Sequence, residues 1–450
     1  MAIFTEAPYI LALKEEYLSS HCSSCFKESS YKCRDCEIMV YCNDQCRKRD
    51  HLFHKMECEV YKNCSKRDEL VLVRMIVRVI VRLSEDGGSP SIDLCTNVPK
   101  SIIRRSWSDL LGHRDEIICS PRHLKEWLKI KAQIEHLYGN RFNKVDLLEI
   151  FGKLLINRFR VGIHQDLFNG RIAIGWAIYL TTSRFDHSCE PDLLQCSFDI
   201  NMRLKFSNPK QEIPQTTLEF NRLTVSYRHQ NDFRLKNPLS YVSTRKQRRI
   251  FVSFFFFNCH CLFCNDDLRN RYSESATNRL CHRCGDFLVL QNTFDDQANW
   301  ILTCLGRKTC LSNEQIVDQI KLSLIDHHEQ SIEICEEKLK KIEELLHPES
   351  ILLLQQREKL FFIYQKIFNE NREMNLIDRM IQLGELLIQG YDIHLNQPAI
   401  YPKILLCDVA SLCEISGRNA RAKQLYQKAV DLWKEDYQNN LDYQHLNIKL

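Results

Sequence analysis

The sequence predicts an α+β chain made of a small cysteine-rich module, a β-rich core and an all-helical C-terminal region. Three observations carry this expectation. Cysteine is over-represented, with 22 among 450 residues, and many stand only a few residues apart. Short apolar–polar alternations recur near 171–180, 201–207 and 222–227, and a period of two suits half-buried strands. Residues 311–450 contain little glycine or proline and carry long charged–apolar patterns, which read as a bundle of about five helices.

The N-terminal residues 1–20 contain a strand pattern, IFTEAPYILAL, and no basic region followed by an apolar core, so no signal peptide is expected. No stretch approaches the ~18 apolar residues of a membrane span, and the net charge of +4 is small for this length. Paired cysteines in such a chain read as metal ligands in a reducing compartment, not as a secreted disulfide framework. Cytoplasm and nucleus are the expected locations, with no membrane partner. The run ELVLVRMIVRVIVRL over 69–83 predicts a strong helix, followed by a loop at Asp86–Ser91 and further helices near 121–138 and 144–156. Arg74, Arg78 and Arg82 stand four apart on one edge of the first of these helices, and a solvated edge is the expectation for them.

Within 22–58, Cys22, Cys25, Cys33, Cys36, Cys42, Cys46, His54 and Cys58 form C-x-x-C, C-x-x-x-C and H-x-x-x-C pairs. These spacings let both side chains of a pair turn toward one tetrahedral Zn²⁺. Eight ligands make two closed sites, which are structural because catalysis needs an exchangeable position. So short a segment cannot build a sufficient apolar core, so metal binding must supply much of its folding free energy. The strings CSSC, CRDC, CNDQC and HKMEC resemble the MYND zinc finger. That resemblance implies interleaved sites, with Cys22, Cys25, Cys42 and Cys46 on one zinc and Cys33, Cys36, His54 and Cys58 on the other. It also implies proline-rich peptide partners. The module's seven lysines and arginines between Lys27 and Lys55 add a weaker expectation of nucleic-acid phosphate contact.

Further along stand RFDHSCEPD at 184–192, LTVSY at 223–227 and CHCLFC at 259–264. Together they resemble the SET methyltransferase core, whose pattern runs N-H-S-C-x-P-N, then L-x-I-S-Y, then C-x-C-x-x-C. A MYND finger before such a core resembles the SMYD family of protein-lysine methyltransferases. LLINRFRV at 154–161 is similar to the family's I-N-S-F-x-I. The resemblance implies a third zinc on Cys189, Cys259, Cys261 and Cys264, and S-adenosyl-L-methionine as methyl donor. It implies that Tyr227 is catalytic, lining the lysine channel and orienting the amine. Asn157, Asp186, His187, Tyr227 and Phe257 would surround the cofactor, and Phe255 would stand where the family has a second channel tyrosine. The domain boundaries expected are a partial SET strand at 1–20, the finger at 21–64 and the SET domain with a helical insertion at 65–258. The post-SET region and a zinc ribbon follow at 259–310, then the C-terminal helices at 311–450.

The sequence also departs from the family pattern. Met1 falls just after the place of a Gly-rich G-x-G-x-x-x-A segment, Asp186 and Asp192 stand for asparagines, and Phe220-Asn221-Arg222 replaces Gly-Glu-Glu. Asp cannot donate a hydrogen bond as Asn does. Two functions are therefore expected in order: a lysine methyltransferase acting on histone or other protein substrates, or a catalytically impaired adaptor recruiting partners through its finger and helices. Cys281, Cys284, Cys304 and Cys310 resemble a zinc ribbon and would hold a fourth zinc. Small residues around Gly417 (Ala410, Ala420, Ala422 and Ala429) resemble one tetratricopeptide-like hairpin. A monomer is expected.

Overall fold

A computed structural model describes residues 4–63, 70–89, 94–96, 105–164, 171–195, 199–207, 211–212, 216–227, 248–249, 252–266, 276–280, 287–292, 300–304, 310–311, 314–325, 331–395 and 403–434. The chain divides into two compact units. The first comprises 1–165, 169–234 and 254–257, and the second 166–168, 235–253 and 258–450.

In the first unit, IFTEAPYILAL yields two strands, β1 (Phe4–Glu6) and β2 (Ile10–Leu13). The finger contributes the hairpin β3 (Tyr31–Lys32) and β4 (Val40–Tyr41) and helix α1 (Asp44–Asn63). Helix α2 (Val71–Asp86) stops at Gly87, whose φ of 62° suits a residue without Cβ. After β5 (Cys95–Thr96) come α3 (Arg114–Cys119), α4 (Pro121–Tyr138) and α5 (Leu147–Asn157). Helix α4 opens on proline, whose missing N–H costs nothing there. Helix α5 is capped by Asp146, which accepts from the Glu149 amide. The strands β6 (Arg158–His164), β7 (Arg171–Ile178), β8 (Asp186–His187), β9 (Leu193–Gln195), β10 (Met202–Phe206) and β11 (Thr224–Val225) complete the unit.

These strands pair as β5-β1-β10-β9, β2-β7-β6 and a parallel pair β8-β11. Strand β2 shows how period two divides the core. Ile10 and Ala12 enter a cluster with α2, α4 and α5, while Leu13 enters a second cluster with the finger, β6, β9 and β10. At Gly175 of β7 an added Cβ would lie 2.5 Å from the Ala12 carbonyl and 2.5 Å from the Phe26 ring. A glycine there lets the finger's Phe26 press against the sheet.

The second unit holds an antiparallel sheet of β12 (Ala276–Leu280), β13 (Phe287–Asn292), β14 (Trp300–Cys304) and β15 (Cys310–Leu311). Among the described residues of 311–450 its helices are α6 (Glu314–Leu322), α7 (Ile332–Leu345), α8 (Ile351–Asn371), α9 (Ile377–His394), α10 (Lys403–Ile415) and α11 (Asn419–Lys434), six where about five were expected. At Gly384 a Cβ would fall 2.3 Å from Val409, so this glycine lets α9 and α10 approach closely. Gly417, at φ 80°, turns α10 into α11, and Ala422 and Ala429 are buried behind it.

Glu358 is buried on α8, and one of its oxygens accepts from the Tyr391 hydroxyl at 2.5 Å while the other has no hydrogen-bond partner. Burial raises its carboxyl from 4.5 to about 8, against the Tyr391 bond. The folded second unit therefore holds a proton that the unfolded chain releases between pH ~4.5 and ~8, and its stability falls as pH rises through that window. Glu358→Gln is expected to flatten this slope and to gain about 1 kcal/mol or more at pH 8. Denaturant melts of the full chain from pH 5 to 8 check it; an unchanged slope would rule it out.

Candidate metal centres and aromatic site

The finger's first two cysteine pairs sit in tight knuckles. Cys22 and Cys33 accept at their carbonyls from the amides of Phe26 and Glu37, at 2.8 and 3.0 Å. Phe26 and Glu37 follow the second cysteine of each knuckle and take φ of 63° and 56°, the left-handed step that reverses the chain. Cys42 follows β4, and α1 carries Cys46, His54 and Cys58. His54 and Cys58 are four residues apart and so face one side of the helix.

Two donor groups result, Cys22, Cys25, Cys42 and Cys46 in one and Cys33, Cys36, His54 and Cys58 in the other, with ligand atoms within 4.8 Å of one another. Zinc bonds of ~2.3 Å to sulfur and ~2.0–2.1 Å to nitrogen set tetrahedral edges of roughly 3.8 Å for S···S and 3.6 Å for S···N. Cys25 and Cys42 sulfurs stand 3.4 Å apart, and Cys36 Sγ stands 3.7 Å from His54 Nε2. These separations exceed a disulfide bond of ~2.05 Å and fit ligands gathered around one ion. Arg49 adds an N–H donor 3.2 Å from Cys46 Sγ. Burial opposes ionisation of Cys46, but the Arg49 hydrogen bond and the neighbouring thiols outweigh it and lower its pKa.

The expected solvated arginine edge is overturned. Arg74 is 2% and Arg78 1% exposed. Arg78 donates from Nε and Nη2 to the two Glu57 oxygens at 2.6 and 2.8 Å, from Nη1 to Asp50 at 2.9 Å and from Nη1 to the Leu11 carbonyl at 2.9 Å. Arg74 donates to the Leu13 carbonyl at 2.6 Å and ion-pairs with Glu57 at 3.3 Å. The Tyr41 hydroxyl completes the group by donating to Asp50 at 2.8 Å. Burial penalises the Glu57 carboxylate, but Arg74 and Arg78 outweigh that and hold its pKa at about 2. Asp50 and Glu57 lie on α1 among the zinc ligands, whereas Leu11 and Leu13 belong to β2, so the network ties the finger to the sheet. Arg82 alone stays near the surface, paired with Asp86 at 3.0 Å.

A second constellation forms around Tyr227. Its ring centroid lies 5.4 Å from His187, 5.1 Å from Phe255 and 5.9 Å from Phe257, and His187 lies 5.9 Å from Phe257. The β8–β11 register pairs Val225 with His187 and brings this group together. The Tyr227 hydroxyl donates to the Phe185 carbonyl at 3.1 Å, and its amide donates to His187 Nδ1 at 3.1 Å. His187 Nδ1 is thus an acceptor, which leaves the Nε2 proton facing Cys189 Sγ at 3.4 Å. Burial, then the charge of Asp186, raise the Tyr227 pKa, so it stays a neutral phenol. Asp186 itself is exposed beside this group.

Asp192 has a visible reason to be a carboxylate, since it accepts from the Thr224 amide and hydroxyl at 3.0 and 2.8 Å. The Asn157 amide donates to the Lys153 and Leu111 carbonyls at 2.9 and 3.3 Å and closes the end of α5. Phe254 and Phe256 alternate with the site rings and pack on His123, each 4.8 Å away. One short run thus has one edge in the aromatic site and the other on the α4 end.

Cys189 belongs to the first unit and Cys259, Cys261 and Cys264 to the second. The thiols of that triplet lie within 4.8 Å of one another, and the Cys264 amide donates to Cys261 Sγ at 3.5 Å. Cys281 and Cys284 lie outside the described residues. Cys304 ends β14 and Cys310 opens β15, with Thr303 paired to Cys310. No helix among the described residues is long and apolar enough to cross a membrane.

Glu6 was invisible to sequence reasoning. Its buried carboxylate accepts from the Thr181 amide, the Thr182 amide and the Thr182 hydroxyl, all at 2.7 Å. A separation of 175 residues leaves no local signal for such a contact.

A family model described as the MYND finger matches residues 22–58. The chain is 26% identical over 248 residues to the histone-lysine N-methyltransferase SMYD3 of Mus musculus, covering 54% of this chain and 51% of that protein. It is 23% identical over 319 residues to SET domain and MYND-type zinc finger protein 6 of Schizosaccharomyces pombe, covering 70% and 57%. It is 23% identical over 355 residues to SET domain-containing protein 14 of Caenorhabditis elegans, covering 77% and 75%. The chain spans about half the length of the first curated relatives it matches. The finger with its two donor groups and the relatives that share it point the same way: the chain carries a MYND finger and is similar to SET and MYND domain-containing proteins.

Proposed function

We propose that this protein is an S-adenosylmethionine-dependent protein-lysine N-methyltransferase whose site is the ring cluster of His187, Tyr227, Phe255 and Phe257, set in a SET core. The carrying observation is that Tyr227 is partly buried, anchored at both its hydroxyl and its amide, and walled by three other rings. The relatives include proteins named lysine methyltransferases, among them N-lysine methyltransferase SMYD2-B of Danio rerio.

The ring corner of His187 and Phe257 offers an apolar face of the kind an adenine packs on, and the exposed Asp186 carboxylate suits the positive end of such a cofactor. Asn157 would turn its free carbonyl edge toward the cofactor's polar end. When bound, S-adenosylmethionine supplies an electrophilic methyl group on sulfur. The chain's residues must then deliver a neutral amine, although free lysine has a pKa near ~10.4. Phe255 and Tyr227 form a dry wall, and desolvation lowers an ammonium pKa. The Tyr227 hydroxyl donates its proton to the Phe185 carbonyl, so toward an amine N–H it would act as an acceptor. Phe255 has no hydroxyl, so that side of the channel orients the amine by shape alone.

The test is calorimetric titration of S-adenosylmethionine into the purified zinc-loaded chain, followed by methyl transfer to histone and mixed-protein substrates. Micromolar binding and transfer are expected. Tyr227→Phe should keep cofactor affinity within a few-fold and lower transfer about 100-fold, the effect of a lost positioning contact. A folded, zinc-loaded chain that binds no cofactor would leave the adaptor reading instead, in which finger and helices recruit proteins. Tyr31 on β3, 78% exposed, is a suitable contact for proline-rich peptides in either case.

The zinc complement proposed is four. The third ion would take the second unit's Cys259, Cys261 and Cys264 as ligands. The fourth would sit in a ribbon of Cys281, Cys284, Cys304 and Cys310. Leu288 pairs with Cys304, so the β12–β13 and β14–β15 connections leave the sheet from the same end, as two zinc knuckles require.

A further inference from the structure

We infer that Glu6 is a positioning residue for the Tyr227 site, acting as a carboxylate clamp on the turn that delivers Phe185, Asp186 and His187. The inference rests on the methyltransferase reading for its effect on turnover, though its geometric part stands alone.

The contacts run in one line. Glu6 closes β1, which is flanked by β5 and β10, and its side chain is fully buried. It accepts at Oε1 from the Thr181 amide and at Oε2 from the Thr182 amide and hydroxyl. Cys95, paired with Glu6 across β1 and β5, donates from its thiol to the Thr181 hydroxyl at 3.5 Å. Two neighbouring strands thus both hold Thr181, and Glu6 holds Thr182 as well. Thr182 begins the 3-10 turn Thr182–Arg184, and its carbonyl accepts from the Phe185 amide at 3.3 Å. The next groups are the Phe185 carbonyl, which receives the Tyr227 hydroxyl, and His187 Nδ1, which receives the Tyr227 amide.

The donor set explains why a carboxylate is needed. Three donors converge on two oxygens, and only an ionised carboxylate accepts at both without presenting a proton of its own. A glutamine keeps size and shape but must turn an NH₂ toward an N–H. The turn would then lose a fixed end, and the backbone atoms that hold Tyr227 would lose their placement. A shift of that order at a reacting centre costs up to about 100-fold in rate.

Glu6→Gln and Thr182→Val are the variants, with Thr182→Ser as the conservative control. Backbone amide exchange and methyl-transfer kinetics are measured on each full-length, zinc-loaded chain. Faster exchange at 181–188 and at Tyr227 is expected in Glu6→Gln, with α4, α5 and zinc content unchanged. The expected kcat falls about 10–100-fold, Thr182→Val falls less, and Thr182→Ser stays near wild type. Unchanged exchange at 185–187 and Tyr227 would overturn the clamp, and so would loss of protection spread over the whole first unit. If Glu6→Gln does not fold, Thr182→Val decides by the same criteria. If the wild-type chain transfers no methyl group, the methyltransferase reading fails while the exchange result still decides the clamp.

Discussion

Arg78→Ala is expected to destabilise the first unit by about 3–5 kcal/mol, because it leaves Asp50 buried without its cation and Glu57 with Arg74 alone. Glu57 would lose its bidentate pairing and Asp50 its closest cation, while the Leu11 carbonyl would lose a donor. For a unit of this size the melting temperature should drop by about 10 °C. Arg78→Lys keeps the charge but not the fork that serves Glu57, Asp50 and Leu11 together, and should fall between the two. The check is thermal melting followed by zinc content across the transition. A variant within about 1 kcal/mol of wild type would mean that the network is hydrated and contributes no more than a surface pair.

Stripping zinc from the finger should have the larger effect. Structural zinc sites supply about 10–16 kcal/mol of apparent binding free energy in zinc-finger peptides, as much as the whole stability of a typical domain. The damage should not stay within the finger. Helix α1 carries His54 and Cys58 as ligands and Asp50 and Glu57 as partners of the arginines. Loosening α1 takes both counter-charges from the buried Arg78 and leaves Arg74 only Glu15, so α2, β2 and β7 should lose exchange protection together with the zinc. Cys58→Ser, which disables only the Cys33, Cys36, His54 group, should reproduce this in part and cost one equivalent of zinc. If chelation released the finger's zinc while α2 and β2 kept their protection, the two parts would be energetically separate and this account wrong.

Those two expectations show where reading the chain succeeded and where it stopped. The finger was legible because ligand spacing is local, and each knuckle is closed by the residues just beside its own cysteines. The helices over 71–86, 121–138 and 147–157 were legible because period and capping lie within the segment. The arginines of α2 were misread for a physical reason. A guanidinium every fourth residue looks the same whether it meets water or two carboxylates on another helix, and burial is decided by what packs there. Asp192 looked like a damaged asparagine until Thr224 appeared beside it with two donors.

By itself the sequence determined the eight Cys and His donors of the finger, the mixed strand and helix content, and the likeness to SET and MYND domain-containing proteins. All of these follow from residue type and short spacing. Only the tertiary structure decided that Glu6 meets Thr181 and Thr182, that Arg78 joins the finger to β2, and that Tyr227 is held by Phe185 and His187. Each of these contacts joins residues far apart in the chain, and hydrogen bonds to backbone carbonyls and amides leave no mark on the identity of the residue that offers them.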